Sequence, residues 1–173
     1  INDSNALALG AITTAGNLTV TAGGAVTQSA ALVIGGTATI AAGSSHDITL
    51  NNASNNFATA IITSGNNVTL VDAGAIALGA STVSGTYSVT APGAVTQSGA
   101  LAITGATTIA ASGYNVTLNE ATNNFVGAVG ITGAVVSVRD AGAIALGAST
   151  VSGTYSVTAG GAITNSGALA IAS

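Results

Sequence analysis

The strongest constraint on this chain is a long internal repeat. Residues 72–105 read DAGAIALGASTVSGTYSVTAPGAVTQSGALAITG, and residues 140–173 match them at an offset of 68 with five differences. A more diverged copy occupies residues 3–36, at an offset of 69. Self-similarity at a fixed period indicates a solenoid, propeller or array, in which each repeat packs only against its neighbours. We therefore divide the single segment 1–173 into copies 1–70, 71–138 and 139–173, the last one partial.

Apolar and polar residues alternate within each copy. The run Asn115-Val116-Thr117-Leu118-Asn119 shows the period of two that indicates a strand with one buried face. No helical period of 3.6 extends over a useful length, and the 24 glycines would penalise a helix. The candidate inward positions of the second copy form three sets: Ile76, Leu78, Val83, Tyr87 and Val89; Val95, Leu101, Ile103 and Ile109; Val116, Leu118, Phe125, Val129, Ile131, Val136 and Val138.

Three such sets in 68 residues correspond to about 23 residues each, the length of one rung of a parallel β-helix. Stacked rungs would pair every strand with its neighbours and build a continuous apolar column. The sequence predicts an all-β, right-handed parallel β-helix whose repeat contains three rungs. An antiparallel β-barrel or sandwich is the alternative architecture.

The repeat register slips by one residue, from 69 to 68, in the segment around Ser44 to His46, opposite Ser112 to Tyr114. A slip of one residue inside a strand would turn its core face outward. We therefore predict a loop at this position.

Composition excludes several classes of function. Hydrophobic residues make up 48% of the chain and charged residues 3%, which is unlike a disordered segment. Arg139 is the one Lys or Arg and the formal net charge is −4, so we expect neither nucleic-acid binding nor membrane insertion. There is no cysteine for a disulfide or a thiolate metal site. Because the chain starts at Ile1 and has no signal peptide, we take it for an internal fragment.

The few titratable residues do not suggest catalysis. If the repeat is three rungs long, Asp72 and Asp140 lie about 14 Å apart, beyond the range of about 6.5 to 9.5 Å in inverting glycosidases. We interpret them as turn formers that hydrogen-bond their own backbone. His46 beside Asp47, even with Ser44 or Ser45, does not make a triad or a metal site by adjacency alone. We predict no catalytic, cofactor-binding or metal-binding residue, no cofactor and no enzymatic activity.

Asparagines recur between copies, at Asn51, Asn52, Asn55 and Asn56 and again at Asn119, Asn123 and Asn124. Stacked amide ladders are one interpretation, and loop and turn chemistry is the one we favour. Five N-x-[ST] triplets begin at Asn2, Asn17, Asn52, Asn67 and Asn115, and we attribute them to composition rather than to glycosylation.

Two runs carry a family resemblance: GNLTVTAGGAVTQSAALVIGGTATIAAG (16–43) and NNFATAIITSGNNVTLVDAGAIALG (55–79). They resemble the repeats of filamentous-haemagglutinin-type exoproteins, very large bacterial adhesins often secreted by the two-partner route. The resemblance covers essentially the whole chain. It implies a right-handed parallel β-helix shaft at the bacterial cell surface.

Our functional expectation is a structural shaft of a large secreted surface adhesin, which extends a binding tip from the cell. The alternative is a self-assembling extracellular filament, sheath or surface-layer subunit that stacks rung on rung, and a third class is a carbohydrate-active β-helix enzyme. The expected partners are neighbouring repeats of the same chain or identical copies stacked end to end. A host or surface ligand would bind regions outside this segment.

Overall fold

The protein is a parallel β-solenoid, seen in a computed structural model that describes residues 1–172; Ser173, the last residue of the third copy, lies outside them. Every strand pair is parallel and no helix occurs in the described residues, so the all-β solenoid is confirmed and the antiparallel alternative is wrong.

The strands form three sheets. The ten-stranded sheet contains β1 (Asn2–Asp3), β3 (Ile12–Thr14), β4 (Leu18–Ala22), β6 (Leu32–Ala41), β8 (Asn56–Ser64), β10 (Ile76–Leu78), β13 (Val95–Gln97), β16 (Val116–Leu118), β19 (Val136–Asp140) and β22 (Tyr155–Ala159). The eleven-stranded sheet contains β2 (Leu7–Leu9), β5 (Val26–Gln28), β7 (Ile48–Leu50), β9 (Val68–Val71), β12 (Tyr87–Thr90), β15 (Thr107–Ala110), β18 (Val129–Gly133), β20 (Ile144–Leu146), β21 (Ser149–Val151), β23 (Ile163–Asn165) and β24 (Leu169–Ile171). The three-stranded sheet contains β11 (Ser81–Val83), β14 (Leu101–Ile103) and β17 (Asn124–Phe125).

One rung consists of three short strands. In the central rungs each strand pairs with the third strand after it, as β10 with β13, β11 with β14 and β12 with β15. Paired strands are about 20 residues apart and form about eight turns, so the expected rung of 23 residues is too long. At about 4.8 Å per rung, eight turns make a rod about 38 Å long.

The expectation of three rungs per repeat is also wrong, because the repeat is not a whole number of rungs. Strand β20 repeats the sequence of β10 ten strands later, and three strands make one rung, so one repeat spans three and a third rungs. The two equivalent tyrosines show the result. Tyr87 pairs with Val68 and Thr107 in the eleven-stranded sheet, whereas Tyr155 pairs with Val136 in the ten-stranded sheet. Successive copies are therefore turned by a third of a rung about the rod axis.

The interior is the apolar column that the alternation predicts. All the inward positions inferred for the second copy are buried, from Ile76 to Val138. Stacked partners such as Val95, Val116 and Val136 bring β-branched side chains into register from rung to rung. Three polar groups interrupt the apolar interior. The hydroxyls of Tyr87, Thr107 and Tyr155 are buried without a hydrogen-bond partner in the described residues.

Small residues allow the backbone to turn tightly at the corners. Gly85, Gly105 and Gly127 stack on one another, and a Cβ added to Gly105 would collide with the backbone carbonyl of Gly85. The register slip lies in a loop, as predicted, between β6 and β7 and between β15 and β16. Gly43 and Gly113, both at φ +81°, supply the left-handed backbone there, which glycine adopts without steric cost.

Candidate functional site: buried polar corners and an adjoining groove

A fully buried asparagine, Asn55, ties three rungs together. Its Oδ1 accepts hydrogen bonds from Leu32 N at 2.9 Å and from Gln28 Nε2 at 2.8 Å. Its Nδ2 donates to the carbonyl oxygens of Leu50 and Val71, both at 3.2 Å. Both ends of the amide are used, so no other residue type of this size could satisfy all four neighbours.

The same arrangement recurs one repeat later at Asn123, which is also fully buried. Its Oδ1 accepts from Leu101 N and Gln97 Nε2, and its Nδ2 donates to Leu118 O and Arg139 O. Asn55 and Asn123 do lie in loops, where each donates its N–H to the carbonyl three residues earlier, but their side chains point inward and link rungs, which the loop interpretation did not include. The pair Gln28 and Asn55 recurs as Gln97 and Asn123, and this joint recurrence was the signal in the sequence that could have indicated a contact between rungs.

Two buried aspartates hold the adjacent corners. Asp72 accepts from Phe57 N at 2.6 Å and from Gly74 N at 2.8 Å, one bond to each carboxylate oxygen. Asp140 accepts from Phe125 N and Gly142 N, both at 2.6 Å. The predicted turn role is confirmed by the bonds to residues two positions on, and the bonds to Phe57 and Phe125 add a link between rungs. Burial raises the pKa of Asp72, and its two backbone hydrogen bonds oppose that rise.

Asp72 and Asp140 do not share a column, contrary to our expectation. Asp72 follows β9 in the eleven-stranded sheet and donates its N–H to Thr90 O. Asp140 ends β19 in the ten-stranded sheet, in register with Ala159. The extra third of a rung in each repeat places them on different edges of the rod.

The loop around His46 is held by local hydrogen bonds. His46 Nδ1 lies 3.0 Å from Ala42 O. Asp47 Oδ1 accepts from Asn67 N and Asn66 Nδ2, both at 3.0 Å, and the first of these bonds chiefly lowers the pKa of Asp47. The Ser44 carbonyl accepts from Ser84 Oγ, so these groups serve the loop and do not form a charge-relay chain. Within residues 1–172, no three His, Cys, Asp or Glu side chains gather as a metal site.

The asparagines of three N-x-[ST] triplets also join rungs. Asn17, Asn67 and Asn115 each accept a backbone N–H from the next rung, at 2.8, 3.1 and 3.2 Å respectively. The donors are Thr37, Thr86 and Val135. These side chains have a structural role that explains them without any modification.

A groove of about 370 Å³ runs along the edge above Asp72. Its floor is formed by the stacked neighbours Val71, Thr90 and Ala110, followed by Ala91 and Pro92. Ala53 and Ser112, in two exposed loops, also line it. Asp72 is its one titratable residue, and both oxygens are held by backbone N–H groups, so the groove contains no acid–base pair.

Hydroxyl groups replace charge on the outer surface. Thr49, Thr69, Ser88 and Thr108 are consecutive register partners on the outer side of the eleven-stranded sheet. Each is partly or fully exposed. This column gives a chain with 3% charged residues a polar face towards water. No helix in residues 1–172 is long and apolar enough to span a membrane.

These features define a repeat protein of the β-solenoid class. A family described as repeats of unknown function (DUF5649) matches residues 1–64, 65–132 and 132–173, and the chain belongs to that family. The three matches begin at residues 1, 65 and 132, close to the internal period of 68–69 residues. No curated protein and no solved structure matches the chain.

Proposed function

We propose that this chain is a structural shaft segment of a large secreted bacterial surface exoprotein, which extends a binding tip away from the cell. The observation that carries the proposal is the uninterrupted stack of parallel rungs, reinforced by the pairs Gln28–Asn55 and Gln97–Asn123 and by the buried Asp72 and Asp140. Each rung contacts only its neighbours, so length is added without changing the core. The resemblance to filamentous-haemagglutinin-type repeats supports the same proposal.

In this proposal the segment is not an enzyme and binds no cofactor. A catalytic site needs acids, bases or nucleophiles that converge on one substrate position. Here the buried acids Asp72 and Asp140 lie on different edges and their oxygens are occupied by backbone donors. That arrangement favours a structural role over the carbohydrate-active alternative.

The first test is the mass of the native polypeptide under fully denaturing conditions. The shaft proposal expects a mass far above the 16.1 kDa of this segment, because the rungs would continue covalently. A native mass near 16 kDa would overturn it in favour of the second candidate, a filament or surface-layer subunit stacked from identical copies. Unpaired strand edges at the end of a solenoid can template such stacking, which is why this alternative is kept.

Location is tested separately on intact cells. An antibody raised against the folded segment should bind unpermeabilised cells, and external protease should remove that signal. Binding that requires permeabilisation would contradict the extracellular location. Comparison with a cytoplasmic marker protein controls for leakage.

A further inference from the structure

We infer that two buried side-chain clusters act as mechanical clamps, so that the rod, when pulled along its axis, lengthens by one repeat at a time rather than rung by rung. The inference follows from the hydrogen bonds of the fold and does not depend on the proposed shaft function. The first clamp consists of Gln28, Asn55 and Asp72, and the second consists of Gln97, Asn123 and Asp140.

The regular part of the rod offers little resistance to peeling from an end. Its rungs are joined by backbone hydrogen bonds between strands such as β12 and β15, and these bonds run from rung to rung, parallel to the axis. An axial pull therefore loads one rung interface after another rather than all of them together. Rungs joined only in this way should detach in pieces of about 20 residues.

The first clamp adds bonds to both faces of the rung that contains β7. On one face, the fully buried Asn55 and Gln28 exchange two amide hydrogen bonds of 2.8 and 2.9 Å. On the other face, Asn55 Nδ2 donates to Val71 O at 3.2 Å. Phe57 N also donates to Asp72 Oδ1, at 2.6 Å. Away from water such bonds are stronger, and those on one face must break together before a rung detaches.

The second clamp has the same bonds one repeat later, around the rung that contains β16. Asn123 and Gln97 exchange two amide hydrogen bonds, and Asn123 Nδ2 donates to Arg139 O at 3.1 Å. Phe125 N donates to Asp140 Oδ2 at 2.6 Å. Equivalent residues of the two clamps lie 68 or 69 residues apart in the sequence.

The side-chain links between the two clamps are weaker. Thr86 donates its N–H and its hydroxyl to Asn67 Oδ1 at exposed positions, where water competes for the same groups. Ser81 Oγ is buried, but it accepts a single bond from the neighbouring rung, from Ile62 N at 3.1 Å. The pull that breaks one clamp therefore exceeds what these rungs withstand, and they detach without a pause until the other clamp is reached.

The test is to pull single molecules in an optical trap, through DNA handles attached to a cysteine added at each end of this chain, which has no cysteine of its own. We expect two high-force events. The first should release 68 or 69 residues, about 240 Å of extended chain at about 3.5 Å per residue. Lengthening in steps of about 20 residues, or one event for the whole molecule, would overturn the inference.

Variants show whether the clamps cause the events. Asn123→Ala removes the central side chain of the second clamp and should leave one high-force event instead of two. Asn124→Ala, at the exposed position next to it, is the matched control and should retain both. Two events in Asn123→Ala would contradict the role of the clamp.

A milder variant is available if Asn123→Ala does not fold. Gln97→Ala removes the reciprocal amide pair and leaves the other partners of Asn123 in place. We expect it to lower the force of one of the two events and to leave the other unchanged. The same pair of forces in Gln97→Ala and in the parent would overturn the inference.

Discussion

At the scale of single residues, the protein depends on a few buried polar side chains in an otherwise apolar interior. Asn55 and Asn123 use both ends of their amides, and Asp72 and Asp140 use both carboxylate oxygens. Burying a polar group is costly unless its hydrogen bonds are satisfied. These four residues satisfy backbone groups at corners, where the regular strand ladder is interrupted.

We expect Asn55→Ala to lower the free energy of unfolding by about 3 kcal/mol, because it leaves buried donors and acceptors without partners. Urea denaturation followed by circular dichroism measures the change. Asn51→Ala, at an exposed position in the same loop, is the matched control and should stay within about 0.5 kcal/mol of the parent. Equal effects of the two substitutions would contradict the role of Asn55.

The hydroxyl of Tyr87 should contribute little to stability, since it is fully buried and makes no hydrogen bond of ordinary geometry, and the Ser81 hydroxyl beside it already donates to Gly79 O. We expect Tyr87→Phe to leave the free energy of unfolding unchanged or to raise it by up to about 1 kcal/mol, as an unpaired polar group is removed. Thermal unfolding measures the change, with the exposed Tyr114→Phe as the control. A loss of stability would show that the hydroxyl has a partner.

Asp72 and Asp47 should give opposite pH dependences. The folded-state pKa of Asp72 is raised by burial, so its charged form is penalised and its contribution to stability increases as pH falls through that pKa. The stability of the parent relative to Asp72→Asn should therefore rise as pH falls from 7 towards 4. The pKa of Asp47 is lowered by its bond from Asn67 N, so the parent should lose stability relative to Asp47→Asn over the acid range. Denaturation at a series of pH values tests both signs.

At the scale of elements, the corners limit the fold more than the strands do. The strands are mostly three to five residues long and tolerate many β-branched side chains. The corners bring backbones so close that stacked glycines are required, as at Gly85, Gly105 and Gly127. A side chain at such a corner would push the rungs apart.

We expect Gly105→Ala to destabilise the protein by about 1–3 kcal/mol, because its Cβ would meet the carbonyl of Gly85 and the backbone would have to shift. Gly10→Ala is the matched control, since nothing lies within 4 Å of the added Cβ. That control should be neutral or stabilising by up to about 1 kcal/mol. Chemical denaturation of both variants measures the two changes in the free energy of unfolding, and equal changes would contradict the close contact at Gly105.

At the scale of the whole molecule, stability depends on having a rung on each side. Leu101 and Leu169 are equivalent in sequence, yet Leu101 is fully buried and Leu169 is only partly buried. In a linear array the free energy of unfolding is the sum of the intrinsic stability of each rung and the stabilisation from its interfaces with neighbouring rungs. In this 173-residue chain the strand of Leu101 is paired on both sides and the strand of Leu169 on one side, so the same leucine buries different areas.

We expect Leu101→Ala to cost about 2–5 kcal/mol, the usual range for a buried leucine in a close-packed core. Leu169→Ala should cost less than half as much in this 173-residue chain, because less apolar surface is lost. Denaturation midpoints of the two variants provide the comparison. Equal costs would show that the terminal rungs are as tightly packed as the central ones.

The sequence by itself determined the fold class, the inward face of each strand and the position of the slip loop. Alternation of period two specifies which side chains are buried, so positions such as Ile76, Val116 and Val138 could be assigned without a structure. The turn role of Asp72 and Asp140 followed from residue type. Each of these properties depends on residues that are close together in the sequence, so the sequence alone is sufficient to predict them.

Only the tertiary structure decided how many residues make one rung and which residues face each other across rungs. Counting apolar sets gave three rungs per repeat, whereas strand pairing shows three and a third, because paired strands lie about 20 residues apart and the repeat is 68 residues long. Asn55 looked like a loop residue because its partners, Gln28 and Val71, lie on other rungs. Register between stacked rungs depends on contacts between residues distant in the chain, which the local pattern does not specify.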